Sequence, residues 1–283
     1  MGSEDGQHTV KAWSHGGVLL ESYLYAPGPA AETPKHSHGE YQFCLSLNFP
    51  GEYLYKGESH AVPVGSLSVI HPGEVHLARD PRDREVLAAF RMIYADPSVL
   101  QRAVVEIAER ERGLPSFPDP VVLDERLAGY FLGVHSVLEG PASTLEKDSR
   151  LMSVLSEFVV NRADERISPR PVGKEPRAVG LVREYLEEDS TENVSLDELS
   201  RVANLSPYYL CRVFKEEVGM PPHAYQMNVR LDRAKNLLLR GWPISKVAQE
   251  SGFYDQSHFT RYFKRLVGVT PGSYAKDSKI FQY

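Results

Sequence analysis

Residues 206–225 of this chain read SPYYLCRVFKEEVGMPPHAY, and residues 255–274 repeat much of that pattern as DQSHFTRYFKRLVGVTPGSY. The identical pairs, all at an offset of 49 positions, are Arg212 and Arg261, Phe214 and Phe263, Lys215 and Lys264, Val218 and Val267, Gly219 and Gly268, Pro222 and Pro271, and Tyr225 and Tyr274. Ser206 and Asp255, which open the two copies, are residue types that cap the N-terminus of a helix. Upstream, Ser195 and Glu198 have the spacing of a capping box, which opens a short preceding helix. The repeat therefore predicts two units, each made of a helix, a short turn and a second helix.

Such a helix-turn-helix unit is typical of DNA-binding proteins, in which the second helix enters the major groove and presents side chains to base edges. The side chains of the second helices that we predict to contact DNA are Tyr208, Tyr209, Arg212 and Lys215 in one copy, and Gln256, Ser257, His258, Arg261 and Lys264 in the other. Arg and Gln can form two hydrogen bonds to one base, whereas a Lys later in the helix is better placed for phosphate. The alternative is a duplicated helical hairpin that serves only packing.

A long helix between the two copies would hold both on one face of the DNA. Pro222 opens this helix, and apolar residues from Ala224 to Leu238 line one of its sides before a stop near Gly241. At 1.5 Å per residue it would be roughly 27 Å long, and adjacent major-groove faces repeat about every 34 Å. We therefore expect one chain to contact two blocks of sequence about one DNA turn apart.

The C-terminal region resembles the AraC/XylS family of transcription regulators. The resemblance covers residues 178–276, and residues 244–276, ISKVAQESGFYDQSHFTRYFKRLVGVTPGSYAK, resemble the C-terminal signature of the family throughout. The resemblance implies base-contacting positions at Tyr208, Cys211, Arg212, Gln256, Ser257 and Arg261. Cys211 departs from the expected chemistry, because a thiol is a weak hydrogen-bonding group.

Length, composition and charge fit a two-domain cytoplasmic protein. A chain of 283 residues favours two domains, and no apolar run is long enough to cross a bilayer. Met1 to His8 lack the features of a secretory signal, and the distant Cys44 and Cys211 do not indicate a disulfide framework. Residues 1–173 contain 16 Lys and Arg against 24 Asp and Glu, a net −8, whereas residues 206–283 contain 12 against 6, a net +6. The positive C-terminal end is what a DNA-binding module requires.

The N-terminal half has the pattern of an antiparallel β-barrel or sandwich. Between Thr9 and Tyr94, short apolar runs alternate with Gly and Pro at intervals of roughly ten residues. Helical periodicity then follows, with a first helix that begins at Asp96 and Pro97 and two more centred on residues 127–138 and 151–159.

Two histidine-containing segments resemble the motifs of a small cupin barrel, the usual sensor domain of the AraC/XylS family. They are HSHGE at residues 36–40 and GSLSVIHPGEVH at residues 65–76. The resemblance implies His36, His38 and His76 as three nitrogen ligands of a divalent metal, although Glu40 lies nearer to His38 than the usual carboxylate and His71 replaces a commoner proline. Three interpretations stay open: these histidines bind a small effector together with Tyr41, they hold a metal, or they are structural. Strand aromatics, namely Tyr41, Phe43, Tyr53 and Tyr55, can stack on a sugar or aromatic effector or fill the core.

Together these features predict an α+β chain of two domains. We expect a cupin-like effector-binding and dimerisation domain at residues 1–161, a linker rich in Pro and charge at 162–176, and an AraC-type DNA-binding domain at 177–283. The predicted function is sequence-specific transcription regulation under the control of a small molecule, without enzymatic activity. Promoter DNA, the effector, a second copy of the chain and RNA polymerase are the expected partners, and a membrane is not.

Two other functions are compatible with the sequence. The barrel can be a metal-dependent cupin enzyme that carries a DNA-binding tail, although no acid–base pair, phosphate loop or nucleophile motif accompanies the histidines. Alternatively, the protein responds to no ligand, and its barrel serves only dimerisation or polymerase contact.

Overall fold

The computed structural model describes residues 8–164, 167, 169 and 171–277, which form two compact units. The first unit contains the described residues of 1–139 and 150–170, and the second contains those of 140–149 and 171–277. Residues 1–7 and part of the predicted linker, namely Glu165, Arg166, Ser168 and Arg170, lie outside the described residues. Within the described residues, none of the helices is both long enough and apolar enough to span a membrane.

The strands of the first unit form two antiparallel sheets. They are β1 (Thr9–His15), β2 (Val18–Tyr25), β3 (Tyr41–Ser46), β4 (Gly51–Tyr55), β5 (Glu58–Val62), β6 (Leu67–Ile70), β7 (His76–Arg79), β8 (Ala88–Ala95) and β9 (Val121–Val122). One sheet has the strand order β1-β2-β8-β3-β6-β9 and the other has the order β5-β4-β7. The predicted antiparallel, cupin-like β domain is confirmed, and its described strands fall into two sheets.

Strand β3 lies at the centre of the larger sheet, and all six of its residues are buried. Because side chains alternate along a strand, Tyr41 and Phe43 share one face. On that face the ring of Phe43 lies 4.4 Å from that of Phe158, and the ring of Tyr41 lies 5.9 Å from that of Phe117. Gln42 and Cys44 therefore point to the opposite face.

Three helices follow strand β8, as predicted, and the short β9 lies between the first and the second of them. The helices are α1 (Pro97–Ala108), α2 (Glu125–Glu139) and α3 (Thr144–Arg162). The Asp96 carboxylate caps α1 by accepting a hydrogen bond from the Ser98 amide at 2.8 Å, and Pro97 occupies the first helical position. The buried faces of the other two helices are those that the periodicity predicts, with Phe131 and Val134 on α2 and Val154 and Phe158 on α3 almost fully buried.

The second unit is helical. Besides the first residues of α3, its helices are α4 (Pro176–Glu188), α5 (Leu196–Ala203), α6 (Pro207–Val218), α7 (Pro222–Leu239), α8 (Ile244–Glu250), α9 (Gln256–Val267) and α10 (Pro271–Asp277). Ser195 and Glu198 form the predicted capping box of α5, and Ser206 and Asp255 cap α6 and α9. The predicted helix boundaries at these caps are confirmed.

The two copies of the repeat have the same internal packing. Phe214 and Phe263 are both 0% exposed. Each ring meets a tyrosine edge-on, Tyr225 at 5.7 Å in the first copy and Tyr274 at 5.3 Å in the second. Both second helices end at a glycine in the left-handed region, with φ 83° at Gly219 and 88° at Gly268. The duplication is therefore structural as well as sequential.

Candidate nucleic-acid interface and effector cavity

The N-terminal half of α9 presents polar side chains to solvent. Gln256, Ser257, Arg261 and Lys264 are all exposed. Ser257, Arg261 and Lys264 are four and then three residues apart, a spacing that places them on one helix face. This surface combines hydrogen-bonding groups near the helix start with two positive charges further along, which suits base contact followed by phosphate contact.

The equivalent surface of α6 is more aromatic. Tyr208, Cys211 and Arg212 are half-buried, and Lys215 is exposed. The guanidinium of Arg212 lies 5.4 Å from the centre of the Tyr208 ring, within the range of a cation–π interaction. Helices α6 and α9 therefore present different side chains to solvent, although the internal packing of the two copies is the same.

Two of the predicted DNA contacts are placed differently by the structure. Tyr209 is only 3% exposed, and its hydroxyl accepts a hydrogen bond from the Gly173 amide at 3.0 Å. The prediction that Tyr209 contacts DNA is wrong, because it lies on the buried face of α6, four residues before the buried Val213. His258 is half-buried, with its ring 5.7 Å from that of Phe253, and burial lowers its pKa.

In the first unit, the two sheets enclose a cavity of about 330 Å³, a size found in small-molecule sites. Side chains from both sheets line it, including His36, His76, Tyr23, Tyr25, Tyr53, Tyr94, Gln42, Cys44, Phe90 and Met92. The cavity thus offers aromatic faces together with hydroxyl, amide and imidazole groups.

His76 lines the cavity and has one buried ring nitrogen without a hydrogen-bond partner among the described residues. The side chain is 2% exposed, and its Nδ1 lies 3.0 Å from the carbonyl oxygen of Glu74. Because a carbonyl oxygen only accepts, Nδ1 carries the proton and Nε2 is an acceptor. Burial lowers the pKa of His76, which keeps the ring neutral at pH 7. Nε2 is buried and has no hydrogen-bond partner among the described residues.

The arginines that line the cavity are paired with carboxylates. Arg79 donates from Nε and Nη2 to the Glu52 carboxylate at 3.0 and 2.6 Å. Hydrogen bonds from Arg79 and Ser59 lower the pKa of Glu52 to about 2. Arg84, which is 7% exposed, forms an ion pair with Asp80. Glu32 also lines the cavity, so the lining contains three carboxylates and two arginines, and both arginines are paired. This lining disfavours an anionic ligand.

The three predicted histidines lie near one another but do not form a metal site. The ring centres of His36 and His38 lie 4.3 and 5.0 Å from that of His76. Nε2 of His38 faces the Oε1 atom of Gln42 at 3.0 Å, so this nitrogen is already engaged. Across the described part of the chain, no group of three His, Cys, Asp or Glu side chains is arranged to hold a metal ion. The donor set thus does not fit the divalent metal that the cupin resemblance implies.

Tyr41, a predicted effector contact, does not line the cavity. It is 1% exposed, and its hydroxyl donates to the carbonyl oxygen of Pro115 at 2.8 Å. The prediction is wrong because Tyr41 lies on the face of β3 that packs against Phe117, opposite the cavity. His38 borders a separate open groove.

Comparisons with known proteins agree with both units. A family model described as AraC-like ligand binding domain matches residues 19–155, and one described as Helix-turn-helix domain matches residues 199–277. A Bacillus subtilis (strain 168) protein, the uncharacterized HTH-type transcriptional regulator YbfI, is 30% identical over 249 residues, which are 84% of this chain and 85% of the relative. The chain belongs to the AraC family of transcriptional regulators.

Two further proteins are similar to this AraC-family chain. The HTH-type transcriptional activator RhaS of Escherichia coli (strain SE11) is 22% identical over 283 residues, 93% of this chain and 94% of the relative. The solved C-terminal domain of AraT, a response regulator from Geobacillus stearothermophilus, has 29% identity and a TM-score of 0.35, and the match covers 37% of this chain and 88% of that domain.

This AraC-family regulator has an N-terminal ligand-binding domain and a C-terminal DNA-binding domain, and its relatives are regulators and not enzymes. Sequence reasoning missed part of the cavity lining, notably Tyr23 and Tyr25 of β2 and Met92 and Tyr94 of β8. The two residues of each pair are two positions apart in the sequence. This spacing indicates that they lie on the same side of their strand, because alternate residues of a strand share a face.

Proposed function

We propose that this AraC-family regulator binds an asymmetric promoter site with α6 and α9 in successive major grooves of the DNA. The observation that carries the proposal is the duplicated helical unit, in which identical packing supports two different exposed surfaces. Tyr208, Cys211, Arg212 and Lys215 would contact one block of the site. Gln256, Ser257, Arg261 and Lys264 would contact the other, with His258 at its edge. Helix α7, roughly 27 Å long at 1.5 Å per residue, suits blocks about one turn apart.

The test is selection of genomic fragments with the full-length protein at about 150 mM salt, where non-specific phosphate attraction is screened. We expect enrichment of one site with two short blocks about one DNA turn apart. If the full-length protein enriches no shared sequence, the proposed DNA contacts are wrong.

The effector of this regulator is proposed to be a neutral, hydroxyl-bearing small molecule of about the size of a sugar. The unpartnered Nε2 of His76 needs a hydrogen-bond donor, the lining tyrosines offer faces for stacking, and the cavity arginines are already paired. A hydroxyl group on the effector would satisfy His76, and an apolar ring face would pack on a tyrosine.

Replacing His76 with leucine should abolish most of the effector's stabilising effect. Losing a hydrogen bond to a buried acceptor costs about 1–3 kcal/mol of binding, or roughly 5- to 150-fold in affinity. The measurement is the melting temperature of wild-type and H76L protein with a panel of neutral monosaccharides, phenols and the matching uronic acids.

A matched control is His60→Leu, which removes a histidine of strand β5 that does not line the cavity. We expect a neutral compound to raise the melting temperature of the wild type and H60L but not of H76L. Stabilisation by the charged uronic acids alone would contradict the proposed effector class.

We also propose that the regulator acts in the cytoplasm as a homodimer and contacts RNA polymerase when bound at a promoter. Tyr130 and Leu132 of α2, which are 37% and 40% exposed, are the apolar side chains that this proposal assigns to the dimer contact. Sedimentation of the full-length protein tests this: a monomer at micromolar concentration would refute the dimer.

A further inference from the structure

Two turns meet inside the second unit, one shortly before the first helix-turn-helix unit and the other within the second helix-turn-helix unit. One comprises Ser190–Glu192, which joins α4 to α5, and the other includes Gly252, which follows α8. A Cβ atom added to Gly252 would lie 2.7 Å from the Thr191 Cα and 2.8 Å from its carbonyl oxygen. Gly252 also has φ +74°, in the left-handed region that glycine adopts readily. The turn before the first copy and the turn inside the second copy therefore approach closely because residue 252 has no side chain.

Arg230 of the connecting helix α7 lies beside this contact and is 4% exposed. Its Nε donates to the Ser190 carbonyl oxygen at 2.5 Å, and its Nη2 donates to the Glu192 carbonyl oxygen at 2.8 Å. Gln226, one turn earlier on α7, donates to the same Glu192 oxygen at 3.2 Å. The Cβ position of Gly252 would lie 3.0 Å from Arg230 Nε, so the guanidinium touches both turns.

Packing alone does not explain an arginine at this position. Burial lowers the pKa of Arg230 to about 10, so the guanidinium is still charged at neutral pH. A buried cation is costly unless it is well hydrogen-bonded, and a methionine of similar length would fill the space without that cost. The planar, forked guanidinium also imposes a geometry, because its N–H groups point in fixed directions and hold the Ser190 and Glu192 carbonyl oxygens at a fixed separation.

We propose that Arg230 and Gly252 form a spacing lock, which fixes the distance and rotation between α6 and α9 and so determines the separation of the two DNA blocks that this regulator accepts. The proposal rests on the proposed function, in which both helices contact DNA. Arg230 acts here as a positioning residue. Inserting one base pair between the blocks increases their separation by about 3.4 Å and rotates one block relative to the other by roughly 34–36° about the DNA axis. A rigid pair of helices cannot follow that change.

The test uses the selected site and variants of it in which one or two base pairs are added to or removed from the spacer. Affinity is measured for full-length wild-type and Arg230→Met protein, and each affinity is divided by that for the original spacing. This ratio does not depend on the fraction of active protein, so general loss of stability leaves it unchanged. We expect the preference of the wild type for one spacing to fall about 10-fold or more in R230M, as loss of two charge-assisted hydrogen bonds would allow.

The matched control is Arg233→Met, because exposed Arg233 of the same helix donates to the Glu250 carbonyl oxygen of the second copy, with no bond to the Ser190–Glu192 turn. R233M should keep the wild-type spacing preference, and Gly252→Ala should lose it as R230M does. If R230M does not fold, Arg230→Lys serves instead, since one ammonium group cannot reproduce the fork.

Each outcome separates the two proposals. A wild-type protein that selects no two-block site contradicts the proposed function. A wild-type protein with a sharp spacing preference that R230M or R230K retains overturns the spacing lock and leaves the proposed function standing.

Discussion

The Arg261→Ala variant should bind the selected DNA site about 5- to 150-fold more weakly than the wild-type protein, the factor that corresponds to 1–3 kcal/mol. Arg261 is exposed on α9, one turn after Ser257, on the face that we propose to contact bases. An arginine in the major groove can donate two hydrogen bonds to one guanine, and alanine leaves both acceptors unsatisfied. The loss should therefore concentrate at one base pair of the second block. Titrations at fixed salt, against the original site and sites changed at single positions, measure it.

Arg265→Ala is the matched control for charge. It removes a positive charge from the same helix, one turn later, where the guanidinium lies 4.6 Å from the centre of the Tyr262 ring. We expect R265A to weaken binding to all sequences alike, as loss of general electrostatic attraction does. If R261A binds as tightly as the wild type, or weakens every sequence equally, Arg261 contacts no base.

A second large effect is expected at His135 of helix α2, which is 3% exposed. Both of its ring nitrogens are buried, and a backbone hydrogen bond at Met92 offsets only part of the effect of burial on its pKa. Burial, followed by the positive charge of Arg91, lowers the pKa of His135 to about 4. The folded protein therefore holds this ring neutral, while the unfolded chain takes up a proton below its ordinary pKa of about 6.5. As pH falls from about 6.5 to about 4, the wild type should lose roughly 3 kcal/mol of stability from this group.

His135→Leu should remove that part of the acid sensitivity. At pH 7 the variant should be as stable as the wild type or more so, because leucine leaves no buried polar atom without a partner. Urea unfolding of the first unit at pH 7 and at about pH 4.5 measures the difference between the two proteins. Phe131→Leu, which alters the aromatic neighbour 5.3 Å from the His135 ring, controls for packing and should keep the wild-type pH dependence. An unchanged pH dependence in H135L would show that His135 is not the group that titrates.

The helical unit could be predicted from sequence almost in full. Ser195, Ser206 and Asp255 cap their helices by accepting hydrogen bonds from amides only three residues further along the chain, so the signal is local. The sequence repeat at an offset of 49 residues then predicts the same helix-turn-helix layout in both copies. Helical spacing places Tyr209 on the same face of α6 as the apolar Val213, four residues later. This pattern predicts that Tyr209 is buried and does not contact DNA.

The cavity could be predicted only in part. His36 and His76 were identified from short motifs, but the tyrosines of β2 and β8 reach the same cavity because strands distant in sequence pair there. Residue 20 lies opposite residue 93, for example. Residues Tyr41, Phe43 and Leu45 of β3 alternate with Gln42, Cys44 and Ser46, but both faces of the strand are buried. The alternation therefore does not show which face borders the cavity, and Tyr41 lies on the other one.

The two copies of the repeat keep the same buried phenylalanine, tyrosine and terminal glycine, while their outward residues differ. Folding constraints and recognition constraints therefore fall on separate sets of positions in each copy. A change at an outward residue of α9 leaves the core of that copy and the surface of α6 intact. If α6 and α9 contact the two blocks as we propose, preference for one block of the promoter can diverge during evolution while preference for the other is inherited unchanged.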